Sequence, residues 1–94
     1  MKNQEITHIL GNIAIYLEMQ DENVFKIRAY EKAAQTIESM AEDASEIYRK
    51  GGIKALEEIP GVGKGIAEKI EEFLRTGRIK LYDELRQKMP VDID

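Results

Sequence analysis

The stretch Ile59-Pro60-Gly61-Val62-Gly63-Lys64-Gly65-Ile66-Ala67 decides how this chain is read. Proline cannot donate a backbone hydrogen bond and presets its own φ, so one or two helical turns arriving from Ile53 must end near Glu58. Gly61 and Gly63 carry no side chain and reach positive φ freely, which predicts a tight turn that an external backbone can approach. From Lys64 the pattern is helical again and runs to Arg75, with Gly77 as the stop. A helix that starts at Lys64 leaves its first N–H groups without acceptors of their own. Those groups and the helix dipole suit one phosphate of a strand, with Lys64 beside them as a cation and no base edge read. The expected phosphate site is therefore Gly61, Val62, Gly63, Lys64, Gly65 and Ile66. By residue type alone, the same glycines also fit a plain tight turn between two helices.

The flanks narrow that choice. Leu56 and Ile59 before the turn, with Val62, Ile66 and Ala67 after it, give two short helices an apolar side on which to pack. Together they form a helix-hairpin-helix pattern over residues 53–76, more specific than a bare pair of glycines. Upstream, Ile6, Ile9, Leu10, Ile13, Ala14 and Leu17 recur at three- and four-residue steps, predicting an amphipathic helix from Glu5 to Met19 that Ile15 and Tyr16 widen. Gln20-Asp21-Glu22-Asn23 interrupts it. A second helix is expected from Phe25 or Ile27 to Met40, capped by Asn23, with Ala29, Tyr30, Ala33, Ala34 and Ile37 on one face. Glu42 to Lys50 predicts a short helix with Ile47 and Tyr48 inward, ended by Gly51-Gly52. Ile79 to Lys88, with Leu81, Tyr82 and Leu85 apolar, predicts a last helix that stops before Pro90. No stretch alternates with period two, so the fold class is all-α: a compact bundle of four to five short helices with one helix-hairpin-helix motif. The expected domain covers residues 1–90, and residues 91–94 start a linker.

Composition limits the chemistry. Ninety-four residues make one domain. The chain has no cysteine and one histidine, His8, which leaves no thiolate nucleophile and no zinc cage, and no tightly bound cofactor is expected. No apolar run reaches the ~20 residues of a membrane span and the start lacks a signal-peptide layout, so no membrane partner is expected and a cytoplasmic location is. The net charge of −4 opposes binding nucleic acid by bulk electrostatics. The cations are unevenly spread, however: Lys64, Lys69, Arg75, Arg78 and Lys80 follow the turn, while Glu42, Asp43, Glu46, Glu57 and Glu58 precede it. Glu42, Asp43, Glu46 and the pair Glu71-Glu72 suit exposed helix faces, His8 a solvated flank, and Met40 and Met89 the filling of core gaps.

The run Ile59 to Leu74, IPGVGKGIAEKIEEFL, followed by Thr76-Gly77, resembles the helix-hairpin-helix of the amino-terminal domain of the family X DNA polymerases, the DNA polymerase beta-like enzymes. Phe25 to Ala34, FKIRAYEKAA, resembles the second helix of that domain, and the likeness covers nearly the whole chain. The resemblance implies a sequence-independent DNA-binding module. It implies a parent that is a DNA-directed polymerase for gap-filling repair, with a nucleotidyltransferase region and, in bacterial and archaeal relatives, a phosphoesterase domain of the PHP type. It implies gapped or nicked DNA and the parent's own catalytic domains as partners, and in a prokaryote association with the nucleoid. It also implies a monovalent cation, sodium or potassium, on the backbone carbonyls of Glu57, Ile59 and Val62, bridging to a DNA phosphate; carbonyl oxygens suit a hard cation.

The resemblance further implies a 5′-deoxyribose-phosphate lyase. Its Schiff-base nucleophile falls on Lys69, and its 5′-phosphate pocket includes Lys26 and Tyr30. At 100° per residue Lys69 lies ~100° from the centre of the apolar stripe made by Ile66, Ala67, Ile70, Phe73 and Leu74, at its edge. Partial desolvation there favours the neutral amine that attacks an aldehyde. A lysine at such an edge equally suits pairing with Glu68 or Glu72, and Tyr30 equally suits the edge of a core with its hydroxyl on a partner. The chain departs from the family where two further basic pocket positions fall on Glu57 and Gly65, a common histidine on Phe25, and a common lysine on Leu81. Three functions fit these residues: a DNA-binding module, a module that is also a lyase, and a helical protein-interaction bundle with neither activity.

Overall fold

A computed structural model describes residues 1–89, 91 and 93. Its elements are α1 (Lys2–Met19), α2 (Val24–Ser39), α3 (Ala44–Glu57), α4 (Lys64–Thr76) and α5 (Lys80–Lys88), with no strand among the described residues. The all-α expectation is met. α1 is the central element, packed along α2 and also against α3 and α5, while α4 packs on α3. Its buried stripe is Ile6, Leu10, Ile13, Ala14 and Leu17, joined by Tyr16; Ile15, expected to widen the stripe, is exposed instead. From the rest of the chain the core takes Ile27, Ala33, Ile37, Leu56, Ile59, Ile66, Ile70, Phe73, Ile79 and Leu85. Met40 and Met89 pack against its margin, as gap fillers do.

Local chemistry sets the boundaries. α1 begins at Lys2, a turn earlier than expected, because Asn3 ties that turn to the segment before α3. Its Nδ2 donates to the Glu42 carbonyl at 3.0 Å, its Oδ1 accepts from the Ala44 amide at 2.7 Å, and its own N–H donates to Asp43 Oδ1 at 3.1 Å. Asn23 caps α2 as expected, accepting from the Phe25 amide at 2.7 Å. In α3, Gly52 at φ 68 and ψ −161 breaks the helix where the Gly51-Gly52 stop was expected, and a second helical piece follows at once. The break bends the chain so that Leu56 and Ile59 reach the core beside α4. α4 ends at Gly77, whose amide donates to the Phe73 carbonyl at 2.7 Å. Glu72 then caps the next helix, its Oε2 accepting from the Lys80 amide at 2.8 Å. The expected stop before Pro90 and the linker over residues 91–94 lie partly outside the described residues. Among those described, the Tyr16 hydroxyl donates to the Val91 carbonyl at 3.1 Å and Ile93 packs against the core.

Candidate nucleic-acid interface

The hairpin between α3 and α4 is closed from within by a short set of bonds. The Ile59 amide donates to the Leu56 carbonyl at 3.1 Å, the Val62 amide to the Ile59 carbonyl at 2.9 Å, and the Ala67 amide to the Gly63 carbonyl at 2.9 Å. Ile59, Val62 and Ile66 turn their side chains into the core, locking both arms. After these bonds the amides of Gly63, Lys64, Gly65 and Ile66 have no acceptor among the described residues. Gly63 is the residue before α4, so these unspent donors stand at the positive end of that helix, as anion sites require. Gly63, Lys64 and Gly65 are exposed. Val62 differs from its expected role as a donor, since its amide is used inside the turn and its side chain is buried.

Gly61 holds φ 83, as the turn demands, but its bare face is not open to an incoming strand. A Cβ built there meets the side chain of Lys32, at 2.9 Å from Cγ, 3.1 Å from Cε and 3.2 Å from Cδ. The lysine stem of α2 thus lies across the crest of the hairpin. Nothing stands within 4 Å of a Cβ placed on Gly63 or Gly65, so close approach is possible there.

Beside the hairpin, α2, α4 and α5 enclose a cleft of about 730 Å³, whose lining includes Lys26, Tyr30, Lys69 and Lys80. The family-implied trio Lys26, Tyr30 and Lys69, far apart in sequence, therefore share one surface. Gly61, Gly63 and Gly65 form its hairpin wall, and Ala29, expected on one face with Tyr30, Ala33, Ala34 and Ile37, is exposed and lines the cleft. Lys69 is half-buried, and the pairing to Glu68 or Glu72 does not form: among the described residues it has no ion-pair partner, and Glu72 is occupied in capping α5. Tyr30 is 5% exposed, and its hydroxyl has no hydrogen-bond partner among the described residues. Burial pushes that phenol above its ordinary pKa, so it stays protonated and able to donate to an anion. Glu72 and Glu84 also line the cleft and oppose its lysines, while Gly65 and Leu81 add no charge to its walls.

Two site features escaped the sequence reading. In the sequence Lys80 is only one of several cations after the turn, because its entry into the cleft depends on how α5 packs back on α1. Lys32 carried no signal at all, since its contact with Gly61 joins segments that no local pattern relates. Phe25, read only as a departure from the family, is 76% exposed and offers an aromatic face beside Lys26. The acids divide by role: Glu42 and Glu46 pair with Lys50 and Arg49 at 3.0 Å, as exposed helix faces do, whereas Asp43 caps α3. Glu71 is not simply solvated, because the Tyr48 hydroxyl donates to its Oε2 at 2.8 Å and joins α3 to α4. His8 is exposed, with Nε2 3.2 Å from Asn12 Nδ2. No group of three or more metal-binding side chains occurs among the described residues, nor a helix long and apolar enough to cross a membrane.

Two interlocked short helices with a glycine-rich turn, and free amides at the start of the second, define a helix-hairpin-helix domain. The chain belongs to the helix-hairpin-helix domain family, whose description matches residues 1–79. It is similar to the DNA polymerase/3′-5′ exonuclease PolX of Bacillus subtilis (strain 168), 29% identical over 90 residues. The match takes in 96% of this chain and 15% of that protein. The resemblance to a family X polymerase domain, read from the hairpin and from α2, is borne out.

Proposed function

We propose that this domain holds DNA without regard to sequence, by placing one strand phosphate on the amides of Gly63 to Ile66 with Lys64 alongside. The observation that carries this reading is that run of unspent donors, exposed at Gly63, Lys64 and Gly65, at the start of a helix of 13 residues. Amides contact phosphate and leave base edges unread, so affinity is independent of sequence. The carbonyls of Glu57, Ile59 and Val62 suit a sodium or potassium ion beside the same phosphate. Of the three, Ile59 accepts one hydrogen bond and keeps a second lone pair, and the other two accept none of the bonds that close the turn. Such an ion, when bound, adds positive charge between hairpin and strand. In its parent the domain serves a DNA-directed polymerase that fills gaps in repair, in the cytoplasm and at the nucleoid of a prokaryote, alongside nucleotidyltransferase and PHP regions. Gapped or nicked duplex is the substrate that offers both a phosphate and a strand end.

The test is salt-dependent binding to a gapped duplex bearing a 5′-phosphate. Affinity should fall as salt rises, with a slope set by one to three phosphates, about 0.9 per contact on duplex DNA. Amide shifts should move at Gly61 to Lys69 and at Lys26. A salt-independent or absent interaction sinks the DNA reading and leaves a protein-interaction bundle.

One observation favours a second activity on the same surface: Lys69, Lys26 and Tyr30 line a single cleft, with Lys80 as a further cation. In a 5′-deoxyribose-phosphate lyase the neutral Lys69 amine adds to the sugar aldehyde and water leaves, forming a Schiff base. Lys26 and the Tyr30 O–H would hold the 5′-phosphate. Borohydride should trap the adduct on an abasic 5′ end, and Lys69→Ala should abolish it; an adduct that survives this change moves the nucleophile elsewhere.

A further inference from the structure

The contact between α2 and the crest of the hairpin has a use beyond packing. Three stem carbons of Lys32 lie within 3.2 Å of where a Gly61 side chain would begin, so the stem is laid flat over the turn rather than extended into solvent. The ammonium is one bond beyond Cε, and so is delivered to the outer rim of the hairpin. Gly61 also lines the cleft, which puts Lys32 across the crest from Lys26, Lys69 and Lys80. Lys32 has no acid partner within 4 Å among the described residues, unlike Arg49, Lys50 and Arg78, which are each paired.

We infer that Lys32 is a second DNA-phosphate ligand, taking the phosphate next along the strand from the one on the amides of Gly63 to Ile66. This rests on the DNA reading and extends it to α2. The occupant is the nucleic-acid backbone because the rim sets a cation without an acid partner beside the unspent amides of Gly63 to Ile66, and that combination suits successive phosphates. Glycine at position 61 then has two jobs: it makes the turn, and it leaves room for the stem that carries this charge. A stem held against the protein also loses less freedom on binding than a free surface lysine.

The experiment is a salt titration of affinity for the gapped duplex with the wild-type protein, Lys32→Gln, Lys32→Arg and Lys50→Gln, each checked for an unchanged thermal midpoint. Lys32→Gln should weaken binding about five- to tenfold at ~0.1 M salt and lower the log–log slope by about 0.9. Lys32→Arg should keep the wild-type slope, and Lys50→Gln, which removes a lysine paired with Glu42 before the Gly52 break of α3, should keep it too. An unchanged slope in Lys32→Gln, or an equal loss in Lys50→Gln, overturns the assignment while the DNA reading stands. If the wild-type protein itself shows no salt-dependent binding, the DNA reading fails first and Lys32 falls with it.

Discussion

At the scale of single residues, Gly61 and Gly65 separate structural demand from binding demand within one turn. Gly61 sits at φ 83 with the Lys32 stem against its face, so Gly61→Ala forces an L-residue into the left-handed region and pushes the stem away. A loss of about 1–2 kcal/mol in urea denaturation is the expected result. Gly65 lies in the first turn of α4, lines the cleft, and has open space at its Cβ. Gly65→Lys should therefore leave stability level or raise it by up to about 1 kcal/mol, the gain of removing a helical glycine. Because it adds a cation to the cleft wall, the same change should strengthen binding of a 5′-phosphorylated end over a 5′-hydroxyl end. Equal gains for the two ends in a competition assay would remove the cleft from phosphate recognition. The glycines look alike in sequence; they differ in backbone conformation and in what faces them.

At the scale of elements, the join between α1 and α3 concentrates polar bonds in a fold otherwise held by apolar packing. Asn3 is buried and satisfied on both sides of its amide, so Asn3→Ala leaves the Ala44 N–H and the Glu42 carbonyl without their partner. About 2–3 kcal/mol of lost stability is expected, measured by urea denaturation, with the start of α1 fraying first. Asp43 adds a pH dependence. Burial alone raises its carboxyl, but hydrogen bonds from Ser45 and from the Asn3 amide outweigh this and hold its pKa below the ordinary value. A carboxylate whose folded pKa is depressed contributes stability that is present above the unfolded value, about 3.9, and is lost as pH falls through the folded value. The acid limb of a stability profile should accordingly flatten in Asp43→Asn between about pH 4 and pH 2, while the profile above pH 5 keeps its shape. An acid limb of the same steepness in that variant would assign the dependence to other carboxylates.

At the scale of the whole molecule, a radius of gyration of 12.6 Å matches a compact domain of this length. A chain with net charge −4 still gathers cations on one side, because α2, α4 and α5 each bring a lysine to the cleft beside the hairpin. Glu42 and Glu46, by contrast, are spent on Lys50 and Arg49 along α3. Such a surface attracts a strand locally while the molecule as a whole repels it, so association should slow and affinity should drop when salt screens the local field. Neutralising acids away from the hairpin should speed association with little change in the salt slope. Glu38→Gln with Glu42→Gln is the pair to use, and stopped-flow mixing the measurement. A changed slope would mean that those acids touch the strand.

How much of this was legible in the order of residues follows from what is local. The hairpin, the Asn23 cap and the break at Gly51-Gly52 could be read directly, because proline, glycine and side-chain caps act on their immediate neighbours. The apolar stripe of α1 could be read because helical periodicity repeats within one segment. What brings Lys26, Tyr30, Lys69 and Lys80 to one cleft, lays Lys32 over Gly61, and anchors Asn3 between Glu42 and Ala44 is the packing of distant helices, which no single segment encodes. Only the tertiary structure decided those, since a long polar side chain takes its position from whatever surface the fold brings to it.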